Sequence, residues 1–120
     1  MKILIVDDSR VMRQIVTRTL RQAGYDGHDL VEAGNGREGL EAVTEHAPDL
    51  VLSDWNMPEM TGIDMLQALR ASGRTVPVGF VTSESSPEMA SRAEAAGAMF
   101  FITKPFTPEG FRDALDPVLG

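Results

Sequence analysis

LVLSDWNMPEMTG, residues Leu50 to Gly62, opens as an apolar run and breaks off at a carboxylate, Asp54. The chain's single tryptophan follows, then a turn with Pro58, two methionines and Gly62. A short run that is apolar on both faces reads as a strand buried on both, and such strands belong to parallel sheets covered by helices. The flanking sequence repeats the pattern. Ile3–Val6 is an apolar run of strand length, followed by Ser9–Ala23 with Val11, Met12, Ile15, Val16, Thr19 and Leu20 at helical spacing and Gly24 as its stop. His28–Ala33 reads as a weaker strand and Arg37–His46 as a short helix. After Leu50–Leu52, Ile63–Ala71 places Ile63, Leu66 and Leu69 on one helical face. Val76–Val81 is a strand interrupted by Gly79. Pro87–Ala96 is an alanine-rich helix capped by Ser86, Met99–Ile102 is the last strand, and Phe111, Leu115, Val118 and Leu119 mark a closing helix. Five strands alternating with five helices predict an α/β fold, a single doubly wound three-layer sandwich.

The 120 residues suit one domain, expected to span 1–120, with a core of ordinary size. A formal net charge of −7 argues against general nucleic-acid binding. Cysteine is absent, which excludes disulfides and thiolate chemistry. The apolar run near the N-terminus is too short for a signal peptide or a membrane span, so a cytoplasmic domain without membrane insertion is expected.

Ligands of open α/β sheets bind beyond the carboxyl ends of the strands. Asp7 and Asp8 follow the first strand, Asp54 the third, Thr82 and Ser83 the fourth, and Thr103 and Lys104 the fifth. Taken singly, these are ordinary surface residues: a helix cap, a turn former, a solvated lysine. Their convergence is not ordinary. Like charges held close repel by about 4 kcal/mol per pair at an effective dielectric near 20. A hard cation relieves them, and Mg²⁺ suits a few carboxylate oxygens plus water. Lys104 is a second counter-charge. His28 and His46 have no ligand spacing, so neither is assigned to a metal.

Four motifs at these strand ends, VDDSRVMRQIV (Val6–Val16), SDWNMPEMTG (Ser53–Gly62), VTSE (Val81–Glu84) and KPFT (Lys104–Thr107), resemble the receiver domain of bacterial two-component response regulators, and most of all its stand-alone chemotaxis members. The resemblance covers the whole chain and implies a five-stranded parallel sheet in the order 2-1-3-4-5, the flavodoxin-like arrangement. It implies that Asp54 accepts a phosphoryl group from a histidine kinase. Asp8, Asp54 and the backbone carbonyl of Asn56 would ligate Mg²⁺, with Mn²⁺ as a substitute, and Asp7 would act through water. Thr82 would hydrogen-bond the phosphoryl group and move toward it. Lys104 would pair with a phosphoryl oxygen, and its bond to Pro105 would be cis. Phe101 would be the aromatic switch, at a position where the stand-alone chemotaxis members carry tyrosine.

The implied partners are a sensor histidine kinase or phosphotransfer domain and a downstream protein target, met through the fourth helix, last strand and last helix. Met89, Arg92, Glu94, Phe101 and the segment around Phe106 lie there. No output domain is expected, and the implied state is a monomer or a phosphorylation-dependent dimer. A signalling receiver of this kind is no turnover enzyme; it catalyses only its own phosphorylation and dephosphorylation. A haloacid-dehalogenase-type phosphatase would need D-x-D after the first strand, where this chain has V-D-D-S. A degenerate receiver serving as a phosphorylation-independent scaffold is the other alternative.

Three further readings stay open. Arg10, Arg13, Arg18 and Arg21, with no acid among them, are a solvated face or a docking surface for an acidic partner. Trp55 covers the edge of the site with its N–H toward water, or is a surface aromatic without a role. Gly79 leaves room near the site, loosens the Thr82 segment, or admits a close-packed helix.

Overall fold

The structure is a computed structural model, and residues 1–25, 27–83 and 86–119 are described. Glu84, the last residue of the third motif, and Gly120 lie outside them. The strands are β1 (Lys2–Val6), β2 (Asp29–Ala33), β3 (Leu50–Ser53), β4 (Val78–Thr82) and β5 (Phe100–Thr103). The helices are α1 (Arg10–Leu20), α2 (Gly36–His46), α3 (Gly62–Ala71), α4 (Pro87–Ala95) and α5 (Pro108–Leu119). All strand pairs are parallel and the order is β2-β1-β3-β4-β5, as expected.

Each helix begins on a hydroxyl or amide side chain that accepts a main-chain N–H otherwise left unpaired. Ser9 accepts from Met12, Asn35 from Glu38, Thr61 from Asp64, Ser86 from Met89 and Thr107 from Gly110. After β1 and β2 the cap follows the strand end within three residues, so these two turns are tight.

The three inner strands, β1, β3 and β4, bury both faces. Leu4, Val6 and Val51 pack with Val43, Leu66, Leu69 and Ala93 under α2, α3 and α4. Ile3, Ile5, Leu50 and Leu52 pack with Val16, Leu20, Phe111 and Leu115 under α1 and α5. The fourth strand starts at Val78 rather than Val76, because Pro77 has no N–H to give the ladder. Beyond α1 a π-type turn spans Arg21–Tyr25, kinked within at Gly24, whose φ is 101°.

Gly79 answers a different need from those proposed for it. It is the register partner of Phe100, and a Cβ at Gly79 would sit 2.1 Å from that ring. The close neighbour is an aromatic side chain of the adjacent strand, not a helix or a gap at the site.

Candidate functional site

β1 delivers Asp7 and Asp8 to the carboxyl edge of the sheet and β3 delivers Asp54. Asp54 N–H donates to the Val6 carbonyl at 2.9 Å, which aligns the two strand ends. One carboxylate oxygen from each aspartate forms a group within 4.8 Å of one another. Asp7 is buried, Asp54 half-buried and Asp8 exposed.

The fifth strand contributes the cation. Lys104 N–H donates to the Thr82 carbonyl at 2.8 Å, and the Lys104–Pro105 bond is cis. The ammonium lies 3.3 Å from Asp7 Oδ2 and 3.6 Å from Asp54 Oδ2. Asp7 Oδ1 accepts the Ser9 N–H at 2.9 Å, and Asp54 Oδ1 accepts the Trp55 N–H at 2.7 Å. Burial pushes the Asp7 carboxyl up from its ordinary value and the Asp54 charge adds to this; the Ser9 N–H and Lys104 oppose it.

Among the described residues, Asp8's carboxylate has no hydrogen-bond or ion-pair partner. Three carboxylates meet one ammonium, so two negative charges stay uncompensated. An all-oxygen donor set with free lone pairs and surplus negative charge fits a hard divalent cation, and Mg²⁺ most directly. The histidines lie outside the cluster.

Thr82 ends β4 with no solvent exposure, under the site rather than at its surface. Asn56 lies two residues beyond Asp54 and is exposed. The loop carrying both closes where Gly62 N–H donates to the Trp55 carbonyl at 2.8 Å. Gly62 is a site residue that sequence reasoning passed over. A Cβ there would fall 2.2 Å from the Asp54 carbonyl oxygen and 2.8 Å from the Phe80 ring, so only glycine lets α3 start against the end of β3. Met57 is buried in the core and Met60 packs on Gly36.

Trp55 corrects its expectation. It is 6% exposed, with its ring 5.1 Å from Phe80 and 6.2 Å from Phe101 between centroids. It is neither a cover nor a surface aromatic: it couples the loop after Asp54 to β4 and β5. Phe101 points inward against this pair, and the Arg92 guanidinium on α4 stands 5.6 Å from the Trp55 ring centroid. Of the four basic residues near α1, Arg10, Arg18 and Arg21 are exposed, but Arg13 is turned inward.

Residues 3–116 match the family profile described as the response regulator receiver domain. The chain is 42% identical over 123 residues to chemotaxis protein CheY1 of Helicobacter pylori strain J99, covering 100% of this chain and 98% of that protein. It is 38% identical over 120 residues to chemotaxis protein CheY of Pseudomonas aeruginosa, covering 98% and 95%. Among solved structures, chemotaxis protein CheY4 of Vibrio cholerae superposes with a TM-score of 0.85 at 39% identity, covering 98% of this chain and 97% of that one.

Proposed function

We propose, from the premise that this chain belongs to the response regulator receiver family, that it is a phospho-acceptor whose acceptor is Asp54. The observation that carries the assignment is the Lys104 ammonium held between Asp7 and Asp54 at 3.3 and 3.6 Å. A carboxylate oxygen of Asp54 attacks the phosphorus of a phosphohistidine; the new P–O bond forms as the P–N bond breaks, and the imidazole leaves with the electron pair. Lys104 pairs with a phosphoryl oxygen as the transferred group's charge arrives. Phosphoryl transfer asks mainly for such positioning and charge neutralisation. The product is an acyl phosphate, a mixed anhydride labile enough for a reversible signal.

Asp8, Asp54 and the Asn56 carbonyl would hold Mg²⁺, or Mn²⁺ in its place, with Asp7 acting through water. When bound, the ion supplies charge neutralisation for the phosphoryl oxygens. Thr82 bonds the phosphoryl group, and its movement lets Phe101 bury further, a two-state element of the kind switches use.

The output face is α4-β5-α5. A cavity of about 300 Å³ beside Phe101, lined by Ala90, Ala93, Glu94, Met99 and Phe100 among others, would receive a segment of the target. The names of its relatives favour chemotaxis as the pathway, with a sensor kinase or phosphotransfer domain upstream. The protein is a signalling receiver acting only on its own phosphorylation. The proposed exchange with a kinase implies action in the cytoplasm; among the described residues no helix is long and apolar enough to cross a membrane. A scaffold indifferent to phosphorylation is not favoured, since acceptor, cation-binding carboxylates, hydroxyl and lysine are all present.

Intact-mass analysis after incubation with Mg²⁺ and a small acyl-phosphate donor tests this. Wild type gains one phosphoryl group and Asp54→Asn gains none. A wild type that gains nothing from any donor returns the chain to the scaffold reading, and steady hydrolysis of a phosphate ester would make it an enzyme.

A further inference from the structure

Asp8 is the one carboxylate of the cluster that no side chain or main-chain group among the described residues holds. Asp7 is fixed by Ser9 and Lys104, and Asp54 by Trp55 and Lys104. Asp8 instead stands on the wall of an open cavity of about 360 Å³ lined also by Arg13, Glu32, Ala33, Gly34 and Glu38. Its placement therefore depends on the main chain that carries it, above all on the peptide joining it to Asp7.

That peptide is pinned. Arg13 Nη1 donates to the Asp7 carbonyl oxygen at 2.6 Å. The same guanidinium is anchored through Nε, which donates to Glu32 Oε1 at 2.9 Å. The Arg13 side chain is 17% exposed, so it has exchanged most of its water for these two contacts. Asp7 N–H meanwhile donates to the Ala33 carbonyl at 3.1 Å. Both main-chain polar groups of Asp7 are thus tied to β2 or to a side chain that β2 holds.

We propose that Arg13, oriented by Glu32, is a positioning residue for Asp8: by clamping the Asp7–Asp8 peptide it presents the Asp8 carboxylate to the divalent cation. The inference rests on the Mg²⁺ reading above. It removes Arg13 from the basic docking face and leaves Arg10, Arg18 and Arg21 there.

Charge and position make opposite predictions, which allows a clean test. A guanidinium near three carboxylates repels a cation, so as a mere charge its removal would tighten Mg²⁺ binding. As a clamp, its removal weakens binding. Arg13→Lys keeps the charge and loses the two-pronged geometry that only a guanidinium offers. Mg²⁺ is titrated into metal-free wild type, Arg13→Lys, Arg13→Met and Glu32→Gln, followed by Trp55 emission and by calorimetry, with melting in chelator as a check on folding.

Both Arg13 variants are expected to bind Mg²⁺ about tenfold more weakly, the low end for loss of an outer-shell partner. Glu32→Gln, which leaves α1 packing untouched, is expected to weaken binding about threefold even at high salt, where screening removes most of what its half-exposed charge alone does to the cation. Measured there, it carries the test alone should the Arg13 variants fail to fold. Wild-type affinity in Arg13→Lys, tighter binding in Arg13→Met, or no change in Glu32→Gln overturns the positioning role while Mg²⁺ binding itself stands. A wild type that binds no Mg²⁺ by either readout overturns the metal reading and this inference together.

Discussion

Gly79 and Phe100 show how one residue's absence of a side chain specifies another's place. They are partners across β4 and β5, and the Phe100 ring occupies the space a Cβ at Gly79 would need, with ring carbons at 2.1, 2.2 and 2.6 Å. Glycine in a central strand costs backbone entropy and leaves a packing gap, and here the neighbour's ring fills the gap. Gly79→Val should therefore cost about 2 kcal/mol by overpacking in spite of valine's better strand propensity. Phe100→Ala should cost about 2 to 3 kcal/mol, less than a fully buried ring because Phe100 keeps some exposure. The pair together should cost at least about 1 kcal/mol less than the two added, since the valine then enters space the ring has left. Urea unfolding of the four proteins measures this, and strict additivity would show that the two side chains do not share the space.

Among the elements, the π-type turn after α1 depends on a contact made from the far end of the chain. The Tyr25 hydroxyl donates to Asp116 on α5, and Arg112 Nε donates to the Ala23 carbonyl at 3.3 Å. Burial first, and then the Asp116 carboxylate, push the Tyr25 phenol up to about 12. Its ordinary value is 10.0. The folded state thus favours the protonated phenol, and the stability this adds is complete below pH 10 and disappears as pH rises toward 12. Tyr25→Phe should cost about 1.5 kcal/mol at pH 7, as for a hydrogen bond to a charged group. Its stability should also fall less than wild type's between pH 10 and 12, which chemical denaturation at stepped pH would record. A parallel fall in both proteins would place the titration elsewhere.

Local signals made the elements legible. Caps such as Ser9, Asn35 and Ser86 lie within three residues of the N–H groups they serve, and strand runs carry their apolar pattern in a few positions. The strand-end carboxylates and Lys104 could be found because the edge of a parallel sheet is where such chains put chemistry. What could not be read depended on register between distant strands. Trp55 is buried only because β4 and β5 bring Phe80 and Phe101 beneath it, Phe100 faces Gly79 from 21 positions away, and Arg13 meets Glu32 across 19. Gly62 carried a weaker signal: a glycine at the first turn of a helix, straight after its cap, is a hint of close backbone approach.

For the molecule as a whole, the carboxyl edge of the sheet is a region of unfavourable charge that the rest of the fold holds together. Burial raises the Asp7 carboxyl because its ionised form is disfavoured there, while Lys104 compensates only in part. Apolar packing on both faces of the sheet supplies the stability that tolerates this, and a ligand that removes the repulsion adds to it. Binding to the folded state alone stabilises by about 2.7 kcal/mol at a hundredfold excess over the dissociation constant. The thermal midpoint of wild type should therefore climb with Mg²⁺ by several degrees, roughly 4 °C for each kcal/mol in a domain of this size. Sodium chloride at matched ionic strength should produce a small fraction of that rise, because screening acts weakly on buried and half-buried charges. Asp8→Asn, which removes the one carboxylate of the cluster without a partner among the described residues, should abolish most of the Mg²⁺ response while leaving the metal-free protein no less stable than wild type. A rise that sodium reproduces, or that survives Asp8→Asn intact, would mean that the cation acts on the general acidity of the surface, and the three aspartates would then be an electrostatic cost without a ligand to relieve it.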